Sequence, residues 1–407
     1  MELYYPLVLD GATGTELQKR GYDGSVSAEA WVLEHPEVIH DLDDAYIKAG
    51  SDIVYSPTFG ANPIKLEENG IFNQTADFNR RLVETAKEGI SGRCLIAGDI
   101  SPTGKFLAPL GDLAFEELVD LYTEQAKGLE AAGVDLYVIE TIMTVPEARA
   151  ALLAVRSVSD KPVLVSFTTD ANGKTLTGTD ATAALVIMQG MGVDAFGLNC
   201  SVGPDDMLTQ IRRLREYATV PLAAKPNAGL PIVEDGKIVY KLTAEELAGF
   251  VPAFAEAGVM LFGGCCGTTP EHVKAIREAL EGVPMVKPAP AAHLAGKVVC
   301  ATEKQVFVLD PGIRVSEVLT CDAGLEDRID EAMDGAAPVI AIEIKSRDDL
   351  DEFGACQYAI NKPLCLVCED ADLLERALRL YQGRALYAGG LPDEALAPLA
   401  RKYGLIY

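Results

Sequence analysis

Eight short apolar runs recur between the N-terminus and residue 280, and each gives way to a loop of polar residues and glycine. The predicted strands are Tyr4–Leu9, Asp52–Ser56, Cys94–Gly98, Leu136–Ile139, Val163–Phe167, Ala195–Leu198, Leu222–Ala224 and Val259–Phe262. Helical periodicity fills the intervals, as in Phe115–Ala132, Val145–Val158, Ala181–Met191, Ala244–Ala257 and Pro270–Leu280. Thr243 and the Thr269-Pro270 pair supply helix start signals. A repeated β-α alternation requires parallel strands joined by right-handed crossovers. Eight such units suit a (β/α)8 TIM barrel, which typically needs ~250 residues. A doubly wound open sheet is the alternative, but no GxGxxG loop follows any strand. The polar loops all come after strands, which places them on the face where such barrels do chemistry.

The last of these loops, Gly263 to His272 (GGCCGTTPEH), carries Cys265 and Cys266 side by side. Adjacent side chains of a regular strand point to opposite faces, so two neighbouring thiols converge only where the strand ends and the backbone bends. Flanking glycines permit that bend. A third thiol, Cys200, follows the sixth predicted strand in GLNCSVGP. Three thiolates at strand ends suit zinc, and three protein ligands leave a fourth position open, as in catalytic sites. A buried thiol pair or a strained disulfide is the other reading of a Cys-Cys dipeptide. The glycine frame and the third cysteine favour the metal. Strands six and eight are about 10 Å apart across strand seven, a gap side chains can span. Strand seven ends at Asn227, whose amide oxygen is a candidate for the open position. Its alternative role is bracing the loop.

Composition narrows the rest. At 407 residues, 49% of them apolar, the chain is long enough for two domains with substantial cores. No apolar run is long enough to span a membrane, and the N-terminus lacks a signal-peptide layout. Nine cysteines, an odd number, argue against a disulfide framework and for a cytoplasmic protein. A net charge of −26 makes nucleic acid an unsuitable partner and is compatible with docking to a basic protein surface. Of four histidines, His272 lies nearest the cysteine loop, in the first turn of a predicted helix.

The predicted domains are a barrel over 1–282, a Pro/Ala-rich linker over 283–297 and a small α/β domain over 298–407. The last has candidate strands at Val306–Leu309, Val339–Ile344, Leu364–Val367 and Arg384–Tyr387, with helices at Leu325–Met333, Asp348–Ala359, Asp370–Tyr381 and Pro392–Lys402. Cys365 and Cys368 have a CxxC spacing, but the first falls inside a strand.

The motifs DGATGTEL at Asp10, AGSDIVYSPTFGAN at Ala49, GDISPTG at Gly98, YVIET at Tyr137, GLNCSVGP at Gly197, KPNAGLP at Lys225 and GGCCGTTPEH at Gly263 together resemble the homocysteine S-methyltransferase family. The likeness is greatest to the homocysteine-binding module of cobalamin-dependent methionine synthases. It implies a catalytic zinc held by Cys200, Cys265 and Cys266, with homocysteine sulfur as fourth ligand and Asn227 in that place when substrate is absent. It implies that Asp10 and Glu140 receive the substrate amino group and that the amides of Gly11, Ala12 and Thr13 receive its carboxylate. Thr58, Phe59 and Asn62 are further candidates at the mouth. The last 70 or so residues resemble a shortened methyltetrahydrofolate-binding module, with Val367 where that pattern has Asp and Ala388 where it has Asn. There is no DxHxxG corrinoid signature. The resemblance therefore implies methionine formation with methylcobalamin delivered by a separate corrinoid protein. The alternatives are a sulfonium or ammonium donor such as S-methylmethionine, or a non-catalytic zinc-binding partner of a corrinoid system.

Overall fold

The computed structural model describes residues 3–108, 110–234 and 237–407; Met1 and Glu2, part of the stretch read for a leader, lie outside that range. Contacts divide the chain into one unit of Met1–Thr177, Asp194–Arg215 and Val220–Pro288 and a second of Gly178–Val193, Glu216–Thr219 and Ala289–Tyr407.

The first unit contains an eight-stranded parallel sheet. Its strands are β1 (Leu7–Val8), β2 (Ile53–Tyr55), β3 (Leu95–Ile100), β4 (Leu136–Ile142), β5 (Val163–Phe167), β6 (Ala195–Asn199), β7 (Leu222–Lys225) and, after a hairpin formed by β8 (Ile232–Glu234) and β9 (Lys237–Val239), β10 (Val259–Phe262). The order is β1-β10-β7-β6-β5-β4-β3-β2, and a parallel bridge from Leu9 to Ile53 closes the ring. This is a (β/α)8 barrel. Alternate residues of the strands, among them Leu9, Ile53, Ala97, Val138, Leu164 and Leu261, pack inside as one buried cluster. Helices cover the outer face, so the strands read as unbroken apolar runs rather than alternating ones.

Three features depart from the sequence expectation for physical reasons. Strands β3, β4, β6 and β7 run on past Gly98, Ile139, Leu198 and Ala224 to include Asp99, Glu140, Asn199 and Lys225. Polar residues rank low as strand formers, but here the ladder continues, with Asn199 in register with Lys225. The helix expected over Ala244–Ala257 is two helices, Ala244–Ala248 and Val251–Glu256. Pro252 has no N–H to carry the helical bond across the break. The β8–β9 hairpin lies inside what reads as one loop.

The second unit has an antiparallel pair, β11 (Val298–Ala301) and β12 (Val306–Leu309), and a parallel sheet in the order β13 (Val315–Thr320), β14 (Val339–Glu343), β15 (Leu364–Val367), β16 (Leu386–Ala388). Cys300, Val339, Ala341, Cys365 and Leu386 form its core cluster. Helix Ala181–Gly190, which joins β5 to β6 in the chain, packs on β11 and β12. Val367 and Ala388 are partners across β15 and β16. All nine cysteines are free thiols.

Helix Pro36–Ala49 buries Asp43, whose Oδ2 has no hydrogen-bond partner among the described residues. Burial, reinforced by the charge of Asp10, holds its carboxyl well above the usual carboxylate range. The folded chain therefore retains a proton that the unfolded chain has lost. Stability from this group falls as pH rises from the unfolded value of ~3.9 towards the raised native one. Asp43→Asn removes that loss. Its melting temperature should exceed wild type by at least ~2 °C at pH 8 and converge with it near pH 4, as followed by calorimetry.

Candidate active site

A cavity of ≈ 350 Å³ opens at the carboxyl ends of the barrel strands. Its lining includes Asp10, Gly11, Ala12 and Thr13 after β1, Glu140 at the end of β4, Cys200 after β6, and Cys265 and Cys266 after β10. Asn227 is not in the lining but is buried beside it, with its side chain hydrogen-bonded to the Cys200 sulfur. Phe59 lines the cavity. Thr58 instead donates to the Asp99 carbonyl (2.7 Å), and Asn62 caps helix Pro63–Glu68.

The three cysteine sulfurs all lie within 4.8 Å of one another, and those of Cys200 and Cys266 are 3.9 Å apart. Tetrahedral Zn–S bonds of ~2.3 Å put sulfurs about 3.8 Å apart, so the spacing suits such an ion. The cysteine loop is fixed by its backbone. Gly264 N–H donates to Asp10 O (3.1 Å), Cys265 N–H to Pro226 O (2.9 Å), and Cys266 O accepts from Ala228 N–H (3.0 Å). A Cβ on Gly264 would collide with Thr268 Oγ1, and Gly267 has φ +80°. Thr268 Oγ1 donates to Cys265 O (2.7 Å) and accepts from Ala12 N–H (3.1 Å), so this amide of the first loop already has an acceptor.

Cys200 sits in the left-handed region, with φ 61°, followed by Ser201 at 57°. Neither is glycine, and such strain persists only where surroundings enforce it. Asn199 is part of that enforcement. Its Oδ1 accepts from Thr141 N–H (2.9 Å) and Ser166 Oγ (2.8 Å), its Nδ2 donates to Thr141 Oγ1 (2.7 Å), and Thr141 itself has φ 60°. Hydrogen bonds from Cys265 and Cys266 draw the Cys200 thiol down towards thiolate, and those two thiols rise in turn. Tyr240, just past the hairpin, hydrogen-bonds the Cys266 sulfur. The Oδ1 of Asn227 is buried without a partner among the described residues. Three sulfurs this close form a donor set fit for a tetrahedral, thiophilic cation.

The same cavity is lined by three buried carboxyl groups. Asp10 Oδ1 takes the Lys225 ammonium at 2.8 Å and its Oδ2 takes the Tyr55 N–H at 2.7 Å. The Lys225 Nζ also stands 3.5 Å from the Tyr55 ring centre. Burial opposes the charge on Lys225, but Asp10, Tyr55 and Glu140 together outweigh it and keep the ammonium protonated. Burial pushes Glu140 up to about 7, with Lys225 pulling the other way. Burial and the charge of Glu140 hold Asp99 well above the carboxylate range.

Sequence reasoning missed Lys225, Asp99, Tyr55, Asn199 and Tyr240. The first four lie within quoted motifs, yet a lysine at a strand end reads as exposed until barrel closure buries it. His272 is a capping residue: Nδ1 accepts from Thr269 N–H (3.2 Å) and Nε2 donates to Leu242 O (3.0 Å).

The profile of the family described as homocysteine S-methyltransferase matches residues 7–280. The chain is 33% identical over 294 residues to the methionine synthase of Mycobacterium leprae, covering 67% of this chain and 24% of that protein. It is 32% identical over 297 residues to that of Mycobacterium tuberculosis, covering 68% and 25%. It thus spans about a quarter of the length of these relatives. Among solved structures, the metallated form of the homocysteine methyltransferase MmuM from Escherichia coli superposes with a TM-score of 0.57 at 26% identity, covering 67% of this chain and 95% of that one. Since the profile spans the whole barrel, cysteine loop included, the chain belongs to the homocysteine S-methyltransferase family.

Proposed function

We propose that this chain is a zinc-dependent homocysteine S-methyltransferase that forms methionine. The observation that carries this reading is the convergence of three cysteine sulfurs within 4.8 Å, in one cavity with buried, unpartnered carboxyl oxygens. Cys200, Cys265 and Cys266 would hold the metal, and Asn227 Oδ1 would complete its shell until substrate arrives. Bound there, zinc would keep the substrate sulfur deprotonated at neutral pH, where a free thiol of pKa ~8.5 is mostly protonated.

The chain's own groups supply orientation. The buried carboxyl groups of the cavity receive the substrate ammonium, and Gly11 and Thr13 line the cavity where its carboxylate would lie. The braced αL turn at Cys200 and the Gly264–Thr268 contact fix the sulfurs in advance, so little reorganisation remains at reaction. In the transfer itself the substrate sulfur donates a lone pair to the methyl carbon, and the methyl group leaves its donor without the bonding electrons. The sulfur is already deprotonated by then, so no general base acts in that step.

The donor in this reading is methylcobalamin carried by a separate corrinoid protein. The loops after β2, β3, β5 and β7 expose Phe59, Leu110, Leu176, Leu230, Val233 and Ile238. Exposed apolar side chains on four loops at the same end of the barrel suit a protein-borne donor better than a small, soluble one. Folate is not expected to bind the second unit, where Val367 and Ala388 offer no polar side chain.

Zinc-loaded protein incubated with homocysteine and, in parallel, methylcobalamin, S-methylmethionine or methyltetrahydrofolate tests this directly. Methionine should form from methylcobalamin. Cys266→Ser should reduce it by more than the ~100-fold that loss of an outer-shell partner costs. Methionine from S-methylmethionine alone would replace the donor assignment, and zinc and homocysteine binding without turnover in the presence of a methylated corrinoid protein would favour the non-catalytic partner.

Gly264→Ala should lower zinc affinity at least ~10-fold in a chelator competition, because the added methyl displaces Thr268 and with it the Cys265 carbonyl.

A further inference from the structure

Each of the three cysteine sulfurs meets a polar side chain from outside the trio. Asn227 hydrogen-bonds that of Cys200, Asn199 Nδ2 stands 3.9 Å from that of Cys265, and the Tyr240 phenol hydrogen-bonds that of Cys266. Asn199 ends β6 and Asn227 lies just past β7, so both belong to the barrel itself. Tyr240 does not. It follows β9, at the foot of the hairpin.

That foot is anchored to the cysteine loop. Leu242 N–H donates to Ala228 O (3.0 Å), and Ala228 N–H donates to Cys266 O (3.0 Å). Leu242 O accepts from His272 Nε2 (3.0 Å). The Tyr240 ring lies so close on Gly267 that a Cβ there would collide with it. The arms of the hairpin give the core little, with Val233 72% and Ile238 67% exposed. Tyr240 itself is half-buried, and it does not line the cavity that Cys266 lines. Its phenol therefore meets the sulfur from outside the space a substrate would fill.

Three thiolates would leave a bound divalent cation with surplus negative charge. An O–H donated to one of them withdraws part of that charge. Groups bonded to metal ligands also orient them and tune the metal.

We propose that Tyr240 is a positioning residue of the metal centre, whose phenol fixes the Cys266 sulfur and tempers the charge that sulfur gives to the metal. This rests on the metal reading above and extends it to a residue outside the barrel strands. The hairpin thereby takes part in setting the chemistry without touching substrate.

The test uses the full chain loaded with cobalt(II), whose sulfur-to-metal charge-transfer band reports on the thiolates, together with chelator competition for zinc. Tyr240→Phe keeps the ring on Gly267 and removes only the O–H. Its band should move to lower energy, because the Cys266 sulfur then holds its electrons less tightly. Zinc affinity should fall ~10-fold or more, as for other partners of metal ligands. Tyr240→Leu, which lacks the ring as well, should show the same band shift and serves in place of the phenylalanine variant should that one not fold. A band and a zinc affinity both unchanged in Tyr240→Phe would overturn the proposal. A weaker zinc site with an unmoved band would also overturn it and leave Tyr240 a packing residue. Failure of the unaltered protein to bind either metal would instead sink the metal reading, and this inference with it.

Discussion

The loop Gly263–Thr268 is held between the ends of β1 and β7 by backbone hydrogen bonds, and the site depends on that clamp. Gly263 reaches the Ala224 carbonyl, Gly264 that of Asp10, and Cys265 that of Pro226. These bonds fix the vicinal thiols without asking anything of the thiols themselves. The close approach demands glycine at 264, since any side chain there would meet Thr268. Thr268 in turn ties Cys265 to the first loop through Ala12. Sulfur geometry and the shape of the substrate pocket are therefore set by one piece of chain, and a change in either is felt in both.

Charge is the second constraint. Asp10, Asp99 and Glu140 are buried around one cavity with Lys225 as the cation among them. An isolated buried carboxylate is costly, and an ion pair recovers that cost only with good geometry and further hydrogen bonds. Asp10 has both, from the ammonium, the Tyr55 amide and the ring stacked against Lys225. The remaining two lack such partners, and burial raises both above the usual carboxylate range. The fold has thus left part of the site unsatisfied in a way that a ligand can complete.

Much of this was legible in the sequence. The barrel followed from eight apolar runs of one period, and β5 and β10 have the expected bounds. The three cysteines were singled out by glycine-framed strand ends, and the structure brings them together. What stayed hidden has a common cause. Lys225, Asp99 and Asn199 extend strands that propensity alone would stop, and their burial depends on closure of the ring between Leu9 and Ile53. The hairpin β8–β9 was hidden for another reason, because its apolar residues are exposed and give no core signal. The grouping of helix Ala181–Gly190 with β11 and β12 has no local signature at all, since nothing in a helix's own periodicity says which sheet it will cover.

The two constraints meet in the cavity. In the proposed metal-bound site three thiolates and a divalent cation would carry a net negative charge, and Glu140 and Asp99 would add to it as they ionise. An anionic thiol would enter against that field, whereas an amino thiol would bring a cation to the carboxyl groups as its sulfur reaches the cysteines. The same surplus of negative charge that keeps a bound sulfur electron-rich would therefore choose which sulfur is bound. Among buried groups these interactions are stronger than in water, so the reactivity of the nucleophile and the selection of substrate would have one electrostatic origin.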